Sequence, residues 1–225
     1  MYMNLKKWKR FAAICEILGS LLFFFFILIA MFFYTGGTMD NPSVPGYSFW
    51  GNTISDLGRI ISHSGELNII SMILFTIAIA SLAFLSIPLY IVFPKLFSTK
   101  RFESLSAKIG SFLGFVTVIG WIGVLFTPAD ISHDLHWIFA YLIYIAFFFS
   151  GVFYTFALFL NEHLSKVYAI IFIVYSIIHF ISLMIIIIGM PIARTYLVIG
   201  QKIVHISSII SYIILSYGIL TYKLD

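Results

Sequence analysis

Two histidines three residues apart, His133 and His136, sit beside Asp130 and Asp134 in the stretch TPADISHDLHWIFA. Neutral imidazole and carboxylate are the ligand types of a zinc shell, and helical spacing puts the two rings on one face. With His205 added from the last apolar run, the candidate metal ligands are His133, His136, Asp130 and His205, and zinc is the candidate cofactor. The alternative is a set of interfacial, hydrogen-bonding histidines, because no HExxH or equivalent motif accompanies them. Asp130 also has a structural use: Thr127, Pro128 and Asp130 read as the N-cap, N1 and N3 of a helix start.

A second stretch, GNTISDLGRIISHSGE, pairs Thr53 with Asp56 in capping-box spacing, which leaves Asp56 either a helix cap or a functional carboxylate. Ile54, Leu57 and Ile61 recur at helical spacing and predict a short amphipathic helix lying in the interface as a lid. His63 reads as a solvated loop histidine. Near the C-terminus Gln201, His205, Ser208, Tyr212 and Ser216 form one polar stripe on an otherwise apolar helix, which lipid cannot satisfy and which must therefore face protein. Lys202 beside it is expected to snorkel to the headgroups. Ser176, His179 and Ser182 form a smaller stripe, with His179 bonded to a neighbouring helix.

These residues need a scaffold, and composition dictates its class. Of 225 residues 61% are hydrophobic and 10% charged, and the mean hydropathy is +1.07, which excludes a water-soluble domain. The one cysteine, Cys15, excludes an intrachain disulfide. Six apolar runs are each long enough to cross a bilayer: Phe11 to Tyr34, Leu67 to Phe93, Leu105 to Phe126, Leu135 to Leu160, Val167 to Ile188 and Tyr196 to Leu220. The expected fold is all-α, a single polytopic membrane domain over residues 1–225 with an outer loop at 35–66. Placing both termini in the cytoplasm puts ten of the 13 basic residues, Lys223 among them, on the inner side. Arg59, Arg194 and Lys202 then lie outside with Asp40, Asp56, Glu66, Asp130 and Asp134, so chemistry is expected on the outer face of the cell membrane. Glu16 is expected to reach the basic inner surface. Gly110 and Gly114 mark close helix packing.

The outer loop carrying NTISDLG and the later GVLFTPADISHDLHWIFA resemble the six-span prokaryotic membrane family called domain of unknown function 998, and more distantly the DRAM-type membrane proteins. The resemblance implies fold and topology, and carries emphasis onto Ser55, Asp56 and Gly58, then Asp130, His136 and Ala140. A remoter likeness is to seven-span intramembrane hydrolases that hold zinc with histidines and an aspartate.

Two functions follow as expectations. In the first, Ser55, Asp56, Asp130, His136 and His205 form the catalytic centre of a lipid hydrolase or transferase, with Arg59, Arg194, Gln201 and Lys202 holding an anionic headgroup. In the second, the same residues cap helices and close the bundle of a non-catalytic lipid-binding or membrane-organising protein. A transporter is less favoured, because no pair of broken helices recurs in two matching halves. The expected partner is membrane lipid, not nucleic acid, with homo-oligomerisation left open.

Overall fold

The computed structural model of the chain describes residues 5–97 and 100–222. Lys223, counted above among the inner basic residues, lies outside them. Six helices are each long and apolar enough to cross a membrane: α1 (Leu5–Phe33), α2 (Ile69–Leu96), α3 (Arg101–Phe126), α4 (His133–Leu160), α5 (Lys166–Met184, prolonged by a wider turn over Ile185–Gly189) and α6 (Arg194–Thr221). The chain is thus an all-α, multi-pass membrane protein. α1 begins six residues before its apolar run, because lysine and arginine are good helix formers and nothing there breaks the helix.

Each helix packs on its neighbours in sequence, and α6 returns to α1, so the six close a ring. One end of the ring carries the long 34–68 connection (the loop end). The other carries Leu5 of α1 and Thr221 of α6 (the terminal end). Large apolar side chains such as Phe25, Phe112 and Ile177 cover the outside, where lipid takes the place of a core. Inside, the terminal half is filled by aromatic rings around Tyr212, whose centroid lies 5.7 Å from Phe172, 5.9 Å from Tyr175 and 6.4 Å from Tyr154.

The expected close packing at Gly110 and Gly114 is present. A Cβ on Gly110 would meet the Tyr154 ring at 2.3 Å, and one on Gly114 the Tyr90 ring at 2.5 Å. Gly110→Ala is therefore expected to cost about 1–3 kcal/mol through overpacking, read as a lowered thermal midpoint of the detergent-purified protein. An unchanged midpoint would show that Tyr154 moves aside freely.

Three expectations are corrected. The interfacial lid helix is only one helical turn, Ser55–Gly58, and it does not lie on the lipid surface. Ile54 and Leu57 point inward and are buried, Ile61 is exposed and bridges Leu67, and Gly58 lies so close to Phe75 that a Cβ would clash at 2.5 Å. The loop plugs the mouth of the ring. Second, Thr127 ends α3, with its hydroxyl bonded to Gly123 O at 2.8 Å, and α4 starts only at His133. Third, Glu16 is not at a basic surface: it is 2% exposed inside the ring, with the Ser20 hydroxyl donating to it at 3.4 Å.

Candidate functional site

The plug is held by buried polar side chains that satisfy its backbone, as a non-helical segment at a membrane boundary requires. Asn52 donates to Gly37 O at 2.9 Å and accepts from Ser48 N at 2.9 Å. Asn68, the residue before α2, donates to Leu57 O at 3.1 Å and Arg59 O at 3.0 Å. Both asparagines are fully buried. Sequence reasoning passed over them, because a buried asparagine and a solvated loop asparagine look alike by residue type.

Asp56 is the centre of this arrangement. The reciprocal bonds of the expected capping box are formed, although Ile54 and not Thr53 is the N-cap of the turn: Thr53 N donates to Asp56 Oδ2 at 2.8 Å, and Asp56 N donates to Thr53 Oγ1 at 3.1 Å. The carboxylate also accepts from Arg194 NH2 at 3.0 and 3.1 Å and lies 3.0 Å from His63 Nε2. Cap and ion pair are therefore both real. Burial would raise its pKa, but the His63 hydrogen bond and the Arg194 charge outweigh burial and hold the group well below the usual carboxylate range. His63, expected to be solvated, has a side chain only 11% exposed.

Asp130 serves as a latch. Its carboxylate accepts from Ile60 N at 3.1 Å and Ile61 N at 2.9 Å, tying the loop to the α3–α4 turn. From α6, Gln201 accepts from Ile54 N at 2.5 Å and donates to Tyr144 Oη at 3.0 Å and Ser55 Oγ at 3.5 Å. Lys202 does not snorkel. It is 4% exposed, donates to Asn52 O at 2.6 Å and lies 4.9 Å from the Phe49 ring centre.

The proposed metal ligands do not converge. Among the described residues no three His, Cys, Asp or Glu side chains are placed to hold a metal ion. Asp130 is taken up by the loop, and exposed His133 pairs with Asp134 at 3.3 Å and accepts from Trp137 Nε1 at 2.9 Å. His205 lies one helical turn beyond Gln201, the residue of α6 that bonds the plug, and is stacked on Phe23 with ring centres 5.7 Å apart. The candidate zinc set His133, His136, Asp130 and His205 is accordingly withdrawn: spacing along a helix put the rings near one another, but one ring turns outward and the other inward.

What remains unspent surrounds a small cavity at the loop end, between the starts of α4 and α6. Ser55, Asp56, Arg59, His136, Arg194 and Gln201 line it. His136, 5% exposed, donates Nδ1–H to Thr127 O at 2.7 Å, which leaves Nε2 as the lone-pair nitrogen with no hydrogen-bond partner among the described residues. Arg194 Nε is likewise buried and unpartnered, although NH2 holds Asp56 and NH1 reaches Met39 Sδ. Arg59 donates Nε–H to Ile61 O at 3.1 Å. Of the proposed site residues, then, Ser55, Asp56, His136, Arg59, Arg194 and Gln201 are brought together with exposed His133 at the rim, Asp130 and Lys202 hold the plug from outside the cavity, and His205 lies deeper. Compared with family models, curated proteins and solved structures, the chain has no match.

Proposed function

We propose that the loop end faces away from the cytoplasm and that its cavity binds the polar headgroup of an anionic membrane lipid. The observation that carries this reading is the buried Arg194 Nε–H with no acceptor, in a cavity whose charged lining is Asp56, Arg59 and Arg194. Two guanidinium groups against one carboxylate leave the lining with an excess positive charge, and a desolvated guanidinium donor matches a phosphate or carboxylate oxygen. His136 Nε2 supplies an acceptor beside it for a headgroup hydroxyl. Buried Ala140 and Leu197 give the cavity an apolar wall beside these polar groups. Six-span topology as in the domain of unknown function 998 belongs to the same proposal.

A second reading adds acyl or phosphoryl transfer. Ser55 and His136 line the same cavity, and the backbone bond at Nδ1 fixes the tautomer in which Nε2 can take a hydroxyl proton. Neither reading calls on a metal, since among the described residues no donor set is gathered.

The test is thermal unfolding in nanodiscs of neutral lipid with and without phosphatidylglycerol. The anionic lipid is expected to raise the midpoint of the wild type. Arg194→Lys keeps a charge for Asp56 but lacks Nε–H, and combined with Arg59→Gln it is expected to weaken the effect by about 10- to 100-fold in lipid concentration, as loss of a charged hydrogen bond predicts. Equal response of wild type and double variant would remove the proposed site.

A further inference from the structure

Below the loop-end cavity the polar groups continue. A second, water-sized cavity shares Ser55, His136, Ala140 and Gln201 with the first and adds Trp121 and His205. A third, also water-sized, shares Trp121 and His205 with the second and ends on Glu16. At about 1.5 Å per residue, Glu16 lies some 17 Å from the terminal end of α1 and roughly 25 Å from its loop end, well inside the span. Its Oε2 is buried with no hydrogen-bond partner, in a side chain 2% exposed. A carboxyl placed there is costly unless it has a use.

We propose that Glu16 is a proton-binding site inside the membrane, reached from the loop end by water passing His136 and His205 through these three adjoining cavities. Both rings are built for exchange at one atom. His136 gives Nδ1–H to Thr127 O, and His205 gives Nδ1–H to Gln201 O at 2.6 Å, so each keeps Nε2 free to accept a proton from one water and return it to the next. The proton entering from the loop-end medium finishes on a Glu16 carboxylate oxygen, and the reverse path releases it. The cavities are narrow, so water fits where a larger solute does not.

The groups facing Glu16 are suited to hold either charge state without a fixed counter-ion. Ser20 comes from α1, Ser86 and Tyr90 from α2 and Thr117 from α3. From α6 come His205, Ser208 and Tyr212; behind Ser208 stands His179 of α5, its Nε2 3.1 Å from the Ser208 hydroxyl, and Tyr154 of α4 lies beyond Tyr212. Among the described residues no lysine or arginine lines this cavity. On the terminal side buried Phe93 packs on Phe97 at 4.3 Å and on Tyr154 at 4.1 Å, an apolar stack against water entry from that end. The inference does not depend on lipid binding at the upper cavity.

Infrared difference spectroscopy of the protein in liposomes, carrying 13C-labelled glutamate, reads Glu16 directly. Transfer of the medium to heavy water is expected to shift a protonated-carboxyl band that is missing in Glu16→Gln. His205→Leu and His136→Leu, which retain Glu16, are expected to slow that shift by about 10²-fold, the low end of what a positioned proton acceptor contributes. A labelled carboxyl that neither titrates nor exchanges overturns the proposal. So does exchange whose rate neither histidine variant alters, since the proton would then enter by another route. Should Glu16→Gln fail to fold, the two histidine variants decide the matter alone.

Discussion

Asp56→Asn is expected to destabilise the protein by about 3–5 kcal/mol, the cost of leaving one half of a buried ion pair without its partner. Asparagine keeps the size and one acceptor for Thr53 N, but it removes the charge opposite Arg194 and sets amide donors against guanidinium and imidazole donors. The check is a denaturant titration in detergent micelles. Adding Arg194→Gln to Asp56→Asn removes the stranded cation, so the double variant should recover part of the loss; strict additivity would mean that the two side chains do not act as a pair. The pH dependence has a definite sign. Because the folded carboxyl is held below its unfolded value, its contribution is fully present above about pH 4 and is lost only as the medium falls through the folded pKa. The stability gap between wild type and Asp56→Asn should therefore be flat through neutral pH and narrow in strong acid.

That pair also shows what a sequence reveals and what it hides. Thr53 and Asp56 are three residues apart, so their reciprocal cap is a local rule and is legible. Arg194 lies 138 positions from Asp56, and nothing in either segment names the other. Asp130 is the same case: its own neighbours suggest a helix cap, while its actual partners, Ile60 N and Ile61 N, belong to the distant loop. The six spans were legible because hydrocarbon demands unbroken apolar runs, and the α6 stripe because lipid offers no hydrogen bonds; Gln201, His205, Ser208, Tyr212 and Ser216 are all buried. The loop was not. Ile54, Leu57 and Ile61 have a periodicity that suits a helix on a membrane surface, yet a chain that folds into the ring mouth buries two of the same three residues. Periodicity records which side is apolar, and here the apolar neighbour is Phe75 and its helix instead of lipid. The metal set failed for a related reason. Ligand types at helical spacing fix neither the rotamer nor the side of the helix that the bundle covers, and α4 turns His133 out and His136 in.

Gln201→Leu is the second large expected effect, and it tests whether the plug is pinned from inside the ring. Leucine matches glutamine closely in volume, so packing against the second cavity is kept while two buried groups, Ile54 N–H and Tyr144 Oη, lose their partner. Each such loss costs about 1–3 kcal/mol, on the order of 4 kcal/mol together. The cost should fall on the docking of the 52–58 turn more than on the spans, because the helices satisfy their own backbone whether or not the plug is seated. Amide hydrogen exchange separates the two: exchange at Ile54 and Leu57 should accelerate by roughly 10²- to 10³-fold, while amides in the middle of α2 and α3 stay protected. Gln201→Glu keeps an acceptor for Ile54 N and should retain most of the protection there. Unchanged exchange at Ile54 in Gln201→Leu would mean that Asp56 and Asp130 seat the plug without help from α6, and the cavity beneath it would then have to be closed by packing alone.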